Sequence, residues 1–122
     1  MTSGSISFER TSGRLALKLD ARRLGNDLLI VITGGKVHIG AVGAGTSYNN
    51  MASSSVITMP GHRDDRIAKD AAERISRKTG SNCVVVAGVH YDHITDQEIK
   101  ELLIMSSSLI EELEGALSTA MP

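Results

Sequence analysis

The sequence predicts an α+β domain: one mostly antiparallel sheet of about six strands with two main helices packed on it. Three observations lead there. Leu15, Leu17 and Leu19 alternate with Arg14, Ala16 and Lys18, the period of a half-buried strand. Strand-like and helix-like segments follow one another as β-β-β-β-β-α-β-α, without the regular alternation of a parallel α/β sheet. Thr95 and Glu98 form a capping box ahead of a long apolar stripe.

Residues 5–8 place Ile6 and Phe8 between serines and read as a first short strand. Thr11, Ser12 and Gly13 then make a hairpin turn into the alternating strand 14–20. Residues 27–33 are nearly all apolar, as expected of a strand central to its sheet. Gly34 and Gly35 suit a tight hairpin, and residues 37–42 return as a fourth strand. The stretch 43–53 is glycine-rich and polar and reads as a loop. A fifth strand, 54–59, ends at Pro60-Gly61. The first helix is expected over about 62–79, burying Ile67, Ala68, Ala71, Ala72 and Ile75, with Gly80 as its left-handed cap. Residues 83–89 (CVVVAGV) form a sixth strand. The last helix starts at the Thr95 box, with Ile94 and Ile99 at staple positions, and its stripe runs through Leu102, Leu103, Ile110, Leu113 and Leu117.

At 122 residues the chain suits one domain, 1–122, with enough length to bury a core. With 41% hydrophobic and 22% charged residues it reads as globular. Thirteen Lys+Arg against 14 Asp+Glu give a formal charge of -1, so no basic surplus points to nucleic acid or to an anionic membrane. No apolar run approaches the roughly 18 residues of a membrane span, and no signal peptide is legible. The lone Cys83 cannot form an intrachain disulfide, which suits a cytoplasmic location. Phe8, Tyr48 and Tyr91 are the only aromatic residues, so the core is aliphatic and a flat ligand finds few rings to stack on.

Three segments concentrate the chemistry: GGKVHIG (34–40), PGHRDD (60–65) and GVHYD (88–92). Each sets a histidine beside glycine near a strand or helix end, where backbone can approach a ligand closely. His90 and Asp92 leave one face of an extended chain, so they can share a metal, or Asp92 can orient the imidazole. With His38 and His62 they make a candidate metal set, His38, His62, His90 and Asp92. The alternative is that each histidine is satisfied by its own turn. No HExxH or paired CxxC is present. Gly61 at a helix start, with Arg63 beside it, can hold an anion, although Asp64 and Asp65 also simply complement the helix dipole. Ser53, Ser54 and Ser55 offer hydroxyls that close over a ligand or only face solvent. No nucleotide-binding glycine fingerprint occurs.

The blocks GGKVHIGAVG, SSSVITMPGHRDDRIAKDAAERI and VVVAGVHYDHITDQEI, covering about 27–104, resemble the LpdD-like family. These are small accessory subunits associated with gallate decarboxylase, also described as prenylated-flavin chaperone domains related to proteasome-assembly chaperones. His93 departs from the family pattern, adding an imidazole where Asn is common. The resemblance implies a non-catalytic carrier of prenylated FMN, or FMN, that delivers it to a UbiD-like decarboxylase after a flavin prenyltransferase has made it. It implies a cofactor site from Gly34, Gly35, His38, Gly40, Ser53, Ser54, Ser55, Gly61, His62, Arg63 and His90. A protomer this small is expected to enclose such a cofactor as a homo-oligomer. Two other functions compete: a small metal-dependent enzyme using the His/Asp cluster and a divalent ion, and a structural subunit of an aromatic-acid decarboxylase.

Overall fold

Strands β1 (Ser5–Ser12) and β2 (Leu15–Leu24) close a hairpin at Gly13, whose φ of 58° a glycine adopts without strain. The computed structural model describes residues 5–60 and 64–119. β3 (Asp27–Gly35), β4 (Ala41–Tyr48), β5 (Met51–Thr58) and β6 (Cys83–His90) complete a six-stranded sheet in the order β1-β2-β3-β6-β4-β5. Only the β3–β6 pair is parallel, so the sheet is mixed and mostly antiparallel, with two helices, α1 (Asp65–Thr79) and α2 (Asp96–Thr119). Among the described residues no helix is long and apolar enough to cross a membrane.

Both helices lie on one face of the sheet: α2 over β1 and β2, α1 over β4, β5 and β6. The buried set follows the strand period, with Leu15, Leu17 and Leu19 from β2, Leu28, Ile30 and Ile32 from β3, and Cys83, Val85 and Ala87 from β6. α1 contributes the expected Ile67, Ala68, Ala71, Ala72 and Ile75, and ends on Gly80 at φ 73°, whose N–H donates to the Ser76 carbonyl at 2.8 Å. The Thr95 box forms as read: the Glu98 N–H donates to Thr95 Oγ1 at 3.1 Å and the Thr95 N–H to Glu98 Oε1 at 3.0 Å.

Two strand assignments change. Gly34 and Gly35 do not turn a hairpin, because β6 inserts between β3 and β4 and pairs with both. The fourth strand therefore starts at Ala41 rather than residue 37, and residues 36–40 cross between sheet positions as an extended strap. Residues 43–53 are not a loop. They form most of the β4–β5 hairpin, turned by Asn49 and Asn50 at φ 51° and 64°. The strand period is hidden there because two helix-facing positions are glycines. A Cβ on Gly43 would lie 2.7 Å from the Ala68 carbonyl oxygen, and one on Gly45 2.2 Å from that of Ala72. α1 rests directly on the β4 backbone. The first strand extends to Ser12, and α1 starts at Asp65 rather than residue 62; residues 61–63 lie outside the described residues.

Candidate functional site

Where β4 begins, the sheet leaves a gap at the end of β6, and a carboxylate fills it. The Gly40 N–H still pairs with the Ala87 carbonyl at 2.9 Å, but the Val89 N–H donates to Asp64 Oδ1 at 3.3 Å. Asp64 sits at the start of α1 and is 6% exposed. Its Oδ2 lies 3.4 Å from His38 Nε2. A Cβ on Gly40 would stand 1.6 Å from that oxygen, so only glycine lets the carboxylate in. His38 Nδ1 lies 3.0 Å from the Lys36 carbonyl, an acceptor, so Nδ1 carries a hydrogen and donates. Nε2 then meets the Asp64 oxygen as a hydrogen bond only if a proton sits between them.

A second pair stands beside the first. His90 Nε2 donates to Asp92 Oδ1 at 2.9 Å, leaving Nδ1 as the ring's other polar atom. The His38 and His90 rings meet edge to face with centroids 6.3 Å apart. Lys36 Nζ lies 3.9 Å from Asp92 Oδ2. The Asp92 carboxyl is held below its usual range by the His90 hydrogen bond first and by the Lys36 cation second. The strap reaches His90 because Gly88, beneath it, has no side chain: a Cβ there would be 1.6 Å from the His38 carbonyl oxygen.

The neighbouring turn is fixed by β2. Tyr91 Oη donates to the Ala16 carbonyl at 2.8 Å and accepts from its N–H at 2.7 Å. Arg14 stacks 5.6 Å from the Tyr91 ring centre, donates to the Asp92 carbonyl at 3.0 Å and pairs with Glu98 at 2.8 Å. That pairing lowers the Glu98 carboxyl from its usual 4.5 to about 2. His93, exposed, takes a left-handed φ of 54° in this turn.

The residues singled out in the sequence divide into three groups. Gly34, Gly35, His38, Gly40, His90 and Asp92 gather at the carboxyl ends of the parallel strands β3 and β6, where α1 and α2 also begin. Ser53, Ser54 and Ser55 do not join them. Ser54 pairs with Gly45 and thence Cys83, seven residues along β6 from His90, or about 23 Å at a strand's rise. The Ser54 hydroxyl is moreover engaged by Glu73 at 3.1 Å and Lys69 at 2.8 Å. Gly61, His62 and Arg63 lie outside the described residues. Among the described residues no three His, Cys, Asp or Glu side chains are placed to hold a metal ion. The expected metal set therefore reduces there to two His–Asp pairs, His38–Asp64 and His90–Asp92. Asp64, read in the sequence only as a dipole complement, is the residue that sequence reasoning missed; its adjacency to PGHR was the available signal.

The model of the prenylated flavin chaperone LpdD-like domain matches residues 11–118. The Protein LpdD of Lactiplantibacillus plantarum is 32% identical over 96 residues, which span 74% of this chain and 68% of that protein. The fold is similar to a chain in the crystal structure of a chaperone complex for yeast 20S proteasome assembly. The TM-score is 0.64 at 14% identity, covering 93% of this chain and 98% of that one.

Proposed function

The chain belongs to the prenylated flavin chaperone LpdD-like family, and from that premise we propose that it is a non-catalytic carrier that shelters prenylated FMN and passes it to a UbiD-like decarboxylase. A flavin prenyltransferase is the source of the cargo in this reading. The observation that carries it is the meeting of the His38–Asp64 and His90–Asp92 pairs at the carboxyl ends of the central strands β3 and β6, beside glycine backbone and an aliphatic sheet face.

The residues fit such a ligand. A prenylated isoalloxazine has a broad apolar edge and a rim of nitrogen and oxygen atoms. The face next to the imidazoles carries Val31, Val86 and Val42 in one register row, none of them fully buried. The His90 imidazole and Lys36 supply the polar contacts, and Arg63, adjacent in sequence to Asp64, is the candidate phosphate anchor. When bound, the group supplies the reactive flavin that the decarboxylase uses. The chain's own residues bind, orient and exclude water. Neither His–Asp pair needs to transfer a proton for that task. Asp92 fixes the His90 ring so that Nδ1 is the polar atom it presents to the ligand, whereas His38, with Nδ1 on the Lys36 carbonyl and Nε2 facing Asp64, positions the strap.

The test is co-expression with a flavin prenyltransferase, followed by the visible spectrum of the purified chain. The reading expects stoichiometric flavin absorbance and transfer of the cofactor to an apo decarboxylase. The double variant His90→Ala/Asp92→Ala is expected to purify colourless. A colourless wild-type chain, or a double variant that still transfers cofactor at full yield, would overturn it.

A further inference from the structure

Residues 36–40 cross β6 on the face that the helices leave open. The Lys36 N–H donates to the His90 carbonyl at 3.0 Å, on the β3 side of β6, and the Gly40 N–H to the Ala87 carbonyl at 2.9 Å, on the β4 side. Between those ties the His38 backbone passes over Gly88, where a Cβ would stand 1.6 Å from the His38 carbonyl oxygen. By the strand period Gly88 shares its face with Val84, Val86 and His90. The crossing therefore lies midway between Val86 and His90, which are about 13 Å apart along the strand. The strap's own side chains alternate there. His38 turns in to Asp64 and the His90 ring with its side chain 23% exposed, whereas Val37 is 72% and Ile39 57% exposed. No other exposed large apolar side chain among the described residues lies within two positions of His38 or His90.

We propose that Val37 and Ile39 are the side chains by which the site tells prenylated FMN from FMN. The inference rests on the carrier reading above and adds what selects the cargo. The two flavins share a phosphate, a ribityl chain and most of the polar rim, and they differ by hydrocarbon. His90 and Lys36, which meet the rim, therefore hold both alike, and selection falls to apolar surface within reach of it. A flat group reaching from His90 to Val86 passes over the strap, so the added ring comes to rest on Val37 and Ile39. Those two branched side chains stay hydrated beside FMN and lose their water beneath the added ring, which gains affinity for the prenylated ligand alone. The aromatic residues do not compete for this task. Phe8 packs against the core, the Tyr91 hydroxyl is tied to Ala16, and Tyr48 lies beyond Cys83 at the far end of the sheet. One methylene in an apolar pocket separates ligands by about 10–200-fold, and an open strap belongs at the low end of that range.

The test is calorimetric titration under nitrogen with prenylated FMN and with FMN, both reduced. The wild-type chain is expected to bind the prenylated form about ten-fold or more tightly than FMN. Val37→Thr/Ile39→Thr keeps the β-branching that suits an extended strap, and exchanges a methyl of Val37 and the ethyl of Ile39 for hydroxyls. Its histidine ring resonances without ligand are expected to match those of the wild type, because neither side chain touches an imidazole partner. The double variant is expected to lose the preference through weaker binding of prenylated FMN, with FMN affinity held within about two-fold. His90→Ala, by contrast, is expected to weaken both flavins alike. A wild-type chain that binds neither flavin would overturn the carrier reading and this inference with it. A wild-type chain without preference, a double variant that keeps it, or one that loses both flavins equally would overturn this inference and leave the carrier reading standing.

Discussion

Replacing Gly88 by alanine strikes the point where the strap rests on the sheet. The added Cβ would lie 1.6 Å from the His38 carbonyl oxygen and 2.6 Å from its carbon, where ordinary contact begins near 3.4 Å. One side must move by about 3.4 minus 1.6, or about 1.8 Å. β6 is hydrogen-bonded on both sides and cannot yield, so the strap does. The strap is tied by Gly40 N–H to the Ala87 carbonyl at 2.9 Å and Lys36 N–H to the His90 carbonyl at 3.0 Å. Losing one of these costs about 0.5–1.5 kcal/mol, and residual overpacking about 1–3 kcal/mol, so the variant should lose roughly 2–4 kcal/mol. At about 2 kcal/mol per molar urea, the unfolding midpoint falls by about 1–2 M. The same movement takes His38 Nε2 beyond ion-pair range of Asp64, from 3.4 Å. Urea titration followed by circular dichroism measures the first effect, and histidine ring resonances report the second. Gly115→Ala, in the exposed surface of α2 with nothing near its Cβ, is the control and should stabilise by up to about 1 kcal/mol. An unchanged midpoint for Gly88→Ala would refute the placement of the strap across β6.

Three further outcomes follow from the same geometry. Gly45→Ala should destabilise by about 1–3 kcal/mol, since its Cβ would meet the Ala72 carbonyl oxygen at 2.2 Å and push α1 off β4; urea titration reads it, without any effect on the histidine resonances. Glu98 is lowered from its usual 4.5 to about 2 by Arg14 and the Thr95 backbone, so its contribution to stability is complete above pH 4.5 and is lost as pH falls towards 2. Glu98→Gln should flatten that part of the stability–pH curve, and an unchanged slope would contradict the pairing. Arg63→Ala should weaken FMN-type ligand binding by about 1.5–3 kcal/mol if Arg63 anchors the phosphate, as calorimetric titration would show.

What the sequence revealed and what it concealed have physical causes. The β2 alternation and the Thr95 box were legible because each is a local rule met by side chains of the expected type. The β4–β5 hairpin was concealed because Gly43 and Gly45 occupy core-facing positions, where their lack of a side chain is the packing device. The Gly34-Gly35 pair has the local chemistry of a turn, and nothing local announces that a distant strand, β6, takes the place beside β3. The neighbourhood of His90 and Asp92 followed from two-residue spacing, and the pair is 2.9 Å apart. Asp64 could not be found that way. Its role depends on β4 leaving the Val89 N–H without a strand partner and on Gly40 leaving room, and both are tertiary facts. The serines at 53–55 show the reverse: a suggestive composition that the register carries to the other end of the sheet.

The proposed carrier holds its ligand at the carboxyl ends of β3 and β6. Amide chemical-shift mapping of the isotope-labelled chain during titration with prenylated FMN tests it most directly. The largest shifts are expected at residues 34–40 and 88–92, with His38→Ala and His90→Ala each abolishing them. Shifts confined to the helix-covered side, or unchanged in both variants, would contradict it.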